Sequence, residues 1–491
     1  MAIQPASFPA IGPMVTHAPR AGAERNPSAG LLFVCAHLLL AVLLRANPAL
    51  ATGHAILTCL VAIWAVLRWT TVSIACVASY AAGADVLWRM TGAHVPWEIS
   101  KYLIVFCCLG GLLRLGRSAR WNVLALIYIA ALAPSILVLL QGFQGSLRQL
   151  AQPLSFNLSG PLSLFASVWY MSQLRLSRSD IHKLIGCLIA PLLSIALVTA
   201  MATSAATDLI FTDESSKATS AGFGPNQVSL ALGLGALLSF IVAVDPEARA
   251  WQRWSAFALV PLFGVQSALT FSRGGLYSFA LALIPAALLS LQNRAARRWL
   301  ALFTGVLTLI TAMVIVPRLD EFTGGELSAR FADTNPTHRD AIIYEDLRLW
   351  GEHPLLGLGP GGAMFQRRGE STLAHTEYTR LLSEHGLFGV VAMAALFAIC
   401  ATVWLRRQPL DERVLRVAFM VWSLVSMLHA GMRLAAIGFM FGLGCARTLL
   451  ARRTGVAEES VWDEGITRAP RGAVVHNASV LTASASRPGT R

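Results

Sequence analysis

The chain has 491 residues, of which 55% are hydrophobic and 13% charged, with a formal net charge of +13. Soluble globular domains carry about 25% charged residues, so this composition excludes an ordinary soluble protein of this length. The positive balance does not indicate nucleic acid, because the cations sit in short links between apolar runs and no compact basic domain with aromatic stacking positions occurs.

The first residues, 1–28, contain Pro5, Pro9, Pro13 and Pro27 and few large apolar side chains, and read as a disordered leader. From there apolar runs of spanning length recur near 30–45, 51–67, 71–88, 101–116, 122–141, 155–173, 181–203, 226–244, 254–271, 275–291, 299–317, 386–405, 413–430 and 434–450. Lipid offers no partner to backbone groups, so each run is expected to be a helix. The predicted fold is an all-α polytopic membrane protein with roughly twelve to fourteen transmembrane helices, filling 29–453, followed by a disordered tail over 454–491. All eight cysteines fall inside apolar runs, which leaves no disulfide framework and no thiolate metal site to expect.

Alternate links differ in cation content. One set holds Arg68; Arg114, Arg117 and Arg120; Arg175, Arg178 and Lys183; Arg249 and Arg253; Arg294, Arg297 and Arg298; Arg406, Arg407, Arg413 and Arg416; and Arg452 and Arg453. The other holds only Arg45, Arg89, Arg148, Lys217, Arg273 and Arg433. The cation-rich set is expected in the cytoplasm, with both termini there and the loops 204–225 and 318–385 outside.

Segment 318–385 is the one long polar stretch between spans and is expected to be functional. Helical periodicity covers Arg339–Trp350, a glycine turn follows at Gly357-Leu-Gly-Pro-Gly-Gly362, and a second helix is expected over His375–His385. On that helix His375, Tyr378, Thr379 and Leu382 would share a face, and its start would hold His375 neutral, as a general base requires. A plain surface histidine is the competing reading. Arg273, in Thr270-Phe-Ser-Arg-Gly-Gly275, is either a snorkelling side chain or an anion clamp, with Gly274 and Gly275 admitting a ligand to the backbone. In Lys217-Ala-Thr-Ser-Ala-Gly-Phe-Gly-Pro-Asn226, a tight turn leads to Asn226 as helix cap, and Lys217 beside a helix start makes a second anion site. Cations, a histidine and glycine turns on one side of the membrane point to an anionic, lipid-linked ligand, such as a diphosphate whose tail stays in the bilayer.

These residues resemble the O-antigen ligase and polysaccharide polymerase superfamily of bacterial envelopes. The most specific match is His375-Thr-Glu-Tyr-Thr-Arg-Leu-Leu-Ser-Glu-His-Gly386-Leu-Phe-Gly389, with Thr376 where the family usually has Asn, Ser or Gln. Lesser matches are Ser272-Arg-Gly-Gly275, Arg339 followed by His353-Pro-Leu-Leu-Gly-Leu-Gly-Pro-Gly361, and Gly224-Pro-Asn226 with Lys217 where relatives often place Arg. The resemblance implies an enzyme of the bacterial inner membrane that needs no cofactor and no metal. It would carry out inverting glycosyl transfer from undecaprenyl diphosphate to a glycan or lipid A-core acceptor on the periplasmic face. Arg273 and Arg339 would hold the diphosphate, with Lys217, Asn226, Gly274, Tyr378 and Arg380 as substrate contacts, and His375 would activate the acceptor hydroxyl. The motif is shared by polymerases and ligases. A transporter or lipid flippase is the alternative class; it usually shows internal repeats and mid-membrane ionisable groups, of which Asp85 is the main candidate here.

Overall fold

The computed structural model describes residues 27–141, 146–206, 209–212, 214–292, 294–333, 339–368, 374–406, 408–429 and 431–449, all within one compact unit. The leader expected over 1–28, save its last two residues, and the tail over 454–491 lie outside the described residues, as do His338, Arg407, Arg452 and Arg453.

The described residues fold predominantly as helices. The first half contains α1 (Pro27–Ala46), α2 (Pro48–Arg68), α3 (Thr71–Met90), α4 (Ile99–Leu115), α5 (Val123–Ala131), α6 (Pro134–Gln141), α7 (Leu147–Met171) and α8 (Arg178–Ala205). The second half contains α9 (Pro225–Val244), α10 (Ala250–Leu269), α11 (Gly274–Ser290), α12 (Arg294–Ile310), α13 (Val316–Thr323), α14 (Glu326–Ala332), α15 (Arg339–Glu352), α16 (Ala363–Gln366), α17 (Glu377–Leu405), α18 (Leu410–Met427) and α19 (Ala435–Cys445). A three-residue parallel pairing of Arg175–Ser177 with Arg447–Leu449 ties the start of α8 to the end of α19.

Among the described residues eight helical stretches are long and apolar enough to cross a membrane, and three shorter apolar helices accompany them. Leu57, Leu60, Trp64 and Leu67 of α2 stand exposed, an outward apolar face that suits lipid and not water. The protein is an all-α multi-pass membrane protein. Three of the expected spans, the runs near 30–45, 275–291 and 434–450, form the shorter apolar helices. The run over 122–141 breaks at Pro134 into α5 and α6 and still counts among the eight. Apolar runs set which segments enter the bilayer; proline, which lacks an amide donor, decides where a helix breaks within them.

Inside the bundle, small side chains let helices approach. Helix α9 packs against α10 and α11, and α3 against α4 and α8. The α9–α11 crossing is the tightest: a Cβ on Gly275 would meet Ser229 O at 1.9 Å, and one on Gly233 would meet Gly275 O at 2.3 Å. Ser229 Oγ fills that crossing, accepting from Gly275 N at 3.1 Å and donating to Ser272 O at 2.7 Å. This contact fixes the turn that carries Arg273.

Candidate active site

The turn between α10 and α11 is held in an unusual backbone conformation. Phe271, though not glycine, has φ 57°, and strain of this kind persists only where surrounding contacts impose it. Its carbonyl accepts from Arg330 Nε on α14 at 3.3 Å. Arg273, the N-cap of α11, donates to Asp333 O. Arg339, at the start of α15, reaches Asn226 Oδ1 at 3.5 Å and His429 Nδ1 at 3.4 Å. Asn226 also accepts from Ser272 Oγ at 2.7 Å. Three arginines from α11, α14 and α15 thus gather around the start of α9 and the end of α18.

The electrostatics of this cluster favour an anion. Among the described residues Arg339 has neutral partners and no carboxylate within ion-pair distance. Burial, then Arg273 and Arg330, pull its pKa below the usual guanidinium value. Burial, then Arg339 and Arg273, push His429 down to about 4, so it is neutral at pH 7. A phosphate placed here would relieve the mutual repulsion.

His375 sits beside this cluster and also borders a second region. Its pKa is lowered to about 4 by burial, then by Arg433, Arg339 and Arg367. It is therefore unprotonated at neutral pH, and its buried Nδ1 has no hydrogen-bond partner among the described residues. Arg433 lies in the break between α18 and α19 and donates to Ala374 O at 2.6 Å, next to His375. Beyond it lies a cavity of about 540 Å³ lined by Asn157, Gly361, Arg367, Glu377, Arg380, Glu384 and Arg433 among others.

Helix α17 differs from expectation in an informative way. It starts at Glu377, with Thr376 as N-cap accepting from Tyr378 N, so His375 precedes the helix and shares no face with Tyr378. The Thr376 side chain caps better than it extends the helix, which is why the start falls two residues late. Tyr378 accordingly turns into the bundle, donating to Leu424 O at 2.9 Å and stacking on Phe397. Thr379 donates to Asp346, which holds Arg367 in a buried ion pair at 2.6 Å. Arg380 is clamped by Glu377 and by Glu384 at 2.9 Å, so it forms the cavity wall without joining the arginine cluster. Glu377 also accepts from Met432 N at 3.1 Å and does not orient His375. Among the other expected residues, Lys217 is exposed, and Gly224, not Asn226, caps α9. Pro225 takes the first helical position, which suits its fixed φ, and this frees the Asn226 amide to face Ser272 and Arg339. Gly274 lies against His429, whose Cβ would be 3.3 Å from an added Cβ.

The glycine turn is strapped to α17. Leu358 N donates to Ser383 O and Gly359 N to Glu384 O, both at 3.0 Å, and Leu387 N donates to Pro354 O at 2.7 Å. Gly386 has φ 57°, and a Cβ there would stand 2.6 Å from Leu355 backbone and 2.7 Å from Gly357 N. Only glycine permits both the conformation and the approach.

Sequence reading missed Arg330, His429 and the part played by Arg433. Arg330 and His429 carry no distinctive local pattern. Arg433 had one usable signal, an arginine placed in a non-helical break between two apolar runs.

Fold and site together define a multi-pass helical membrane protein with a buried, arginine-rich polar centre next to an unprotonated histidine. Residues 258–394 match the family model for O-antigen ligase, a stretch running from α10 into α17 that includes Arg273, Arg330, Arg339 and His375. Over this stretch the chain is similar to the O-antigen ligase family. No curated protein matches it.

Proposed function

We propose that the protein is a membrane glycosyltransferase that moves a glycan from undecaprenyl diphosphate to an acceptor hydroxyl on the periplasmic face of the inner membrane. The acceptor is another lipid-linked repeat unit or lipid A-core. The observation that carries this reading is His375, held unprotonated near Arg339 and Arg433, with its neighbour Ala374 lining the cavity.

In this reading Arg273, Arg339 and Arg330 receive the diphosphate, with Asn226 orienting Arg339 and Gly274 giving close access to the turn. The acceptor sugar occupies the 540 Å³ cavity, where Arg380 and its two glutamates present fixed donors and acceptors to hydroxyls. Lys217 contributes long-range attraction at most, and Tyr378 acts through the placement of α17. His375 takes the proton from the acceptor hydroxyl as its oxygen bonds to the anomeric carbon. The anomeric carbon–oxygen bond to phosphate breaks from the opposite side, and its electron pair leaves on the diphosphate. Attack from that side inverts the configuration. The arginines stabilise the departing charge, and binding of the anion beside Arg339 raises the basicity of His375 when it is needed. A groove of about 310 Å³ suits the polyprenyl tail. It is lined by Gly264, Ala268, Leu276, Leu327 and Phe331 among others, and it borders the segments that carry Arg273 and Arg330.

Deleting the gene is expected to abolish a long-chain surface polysaccharide. His375→Ala, expressed and inserted normally, is expected to leave that loss unrepaired. Full restoration by this variant overturns the assignment. Single repeat units on the acceptor would mark a lost polymerase, and long chains on the lipid carrier a lost ligase.

A further inference from the structure

Outside the residues matched by the family, the bundle buries a closed set of four charges. Arg89 on α3 contacts Asp85 Oδ1 at 3.0 Å and Glu98 Oε2 at 3.4 Å, and Lys101 on α4 contacts Glu98 at 2.6 Å. Side chains in this set are at most 4% exposed. Burying ions is costly and rarely justified by stability alone, since well-packed apolar residues do as well. Within a membrane bundle such a cluster calls for a functional explanation.

Its outward contacts supply one. Arg89 Nη1 donates to Arg433 O at 3.2 Å and lies 3.5 Å from Gln227 Oε1. Asp85 Oδ2 accepts from Ala435 N at 3.0 Å, at the start of α19. Glu98 accepts from Ser159 Oγ on α7 at 3.3 Å, and the Arg89 guanidinium lies over the Trp97 ring at 5.0 Å. One guanidinium therefore touches both halves of the site. Gln227 adjoins Asn226, which holds Arg339. The 431–435 segment carries Arg433, which stands beside His375.

We propose that Arg89, clamped by Asp85 and Glu98, is a positioning residue that fixes the separation between the Asn226–Arg339 side of the site and the Arg433 wall next to His375. Its bearing on glycan transfer rests on the functional reading above; the geometric claim does not. Without the clamp, the short segment between α18 and α19 loses its anchor on α3, and Arg433 moves relative to His375.

The test reads His375 directly. The charged groups facing it are Arg433, Arg339 and Arg367. Full-length protein in lipid nanodiscs is labelled with diethyl pyrocarbonate, which reacts with unprotonated imidazole, from about pH 4 to about pH 8. The His375 and His353 peptides are quantified by mass spectrometry. In the native protein His375 titrates far below an exposed histidine. When a positive neighbour withdraws, protonation becomes easier, so Arg89→Gln and Asp85→Asn are expected to raise the His375 midpoint by about one pH unit. Labelling at pH 5 then falls roughly twofold. Arg89→Lys keeps the charge but loses the fork, and falls between native and Gln. Exposed His353 serves as the control and stays fixed. An unchanged His375 midpoint in the neutral variants overturns the proposal, and so does an equal shift at His353, which marks a general loosening. If Arg89→Gln fails to insert, Asp85→Asn and Arg89→Lys carry the same decision. Restoration of polysaccharide by His375→Ala would remove the catalytic reading and leave this measurement standing.

Discussion

At the scale of single residues, the site depends on cations that have been placed close together. Arg339 is the clearest case, with its two guanidinium nitrogens directed at Asn226 and His429, not at an acid. Such a fork fits a phosphate better than a point charge does. Arg339→Gln is expected to lower the rate of transfer about a hundredfold, equivalent to about 3 kcal/mol of transition-state stabilisation. Arg339→Lys should recover little of this, because an ammonium cannot span both partners. Radiolabelled glycan transfer in membranes measures both, and full activity in the Lys variant would show that charge alone suffices. The same crowding contributes at His375: burial, then Arg433, Arg339 and Arg367, keep it unprotonated through neutral pH.

At the scale of elements, the informative feature is the junction of the glycine turn with α17. Residues 354–359 donate to and accept from the segment 383–387, so the loop helix α15 and the spanning part of α17 move as one piece. The junction relies on Gly386, whose positive φ and backbone contact distances exclude any side chain. Gly386→Ala is expected to destabilise the protein by about 2 kcal/mol or more from backbone strain and displacement of the turn. A lowered melting temperature in detergent, together with reduced transfer, would be the signature. An unaltered melt would show that the strap is not structurally required. The buried Asp346–Arg367 pair joins α15 to the segment after α16 and keeps that side of the cavity closed.

For the whole molecule, the question is how a bilayer-bound donor reaches a polar centre. The arginine cluster and the apolar groove both border the α10–α11 turn and α14, so the sites proposed for headgroup and tail are contiguous. Gly264 offers a test that leaves packing intact, since a Cβ added there meets nothing within 4 Å. Gly264→Phe is expected to fold normally and to raise KM for a long-chain polyprenyl donor roughly tenfold, with little change for a short-chain, water-soluble donor. Equal effects on both donors would move the tail elsewhere. The N-terminal half enters the same picture through α3, α4 and α7, which pack behind α19 and brace the Arg433 segment.

The sequence by itself determined the class of fold, because twenty or so consecutive apolar residues have no stable place except a bilayer or a large buried core. It also marked Arg273, Arg339 and His375, since ionisable residues and paired glycines stand out against apolar runs. It misplaced the start of α17 by two residues and the cap of α9 by two, where Thr376 and Pro225 outweighed periodicity. Tertiary structure alone decided that Arg330, His429 and Arg433 join those residues, and that Asp85 and Arg89 anchor them. Those positions come from separate stretches of the chain, Arg89 and Arg433 being 344 residues apart, and only the packing of helices, driven by small-residue contacts with no sequence-local signature, brings them together.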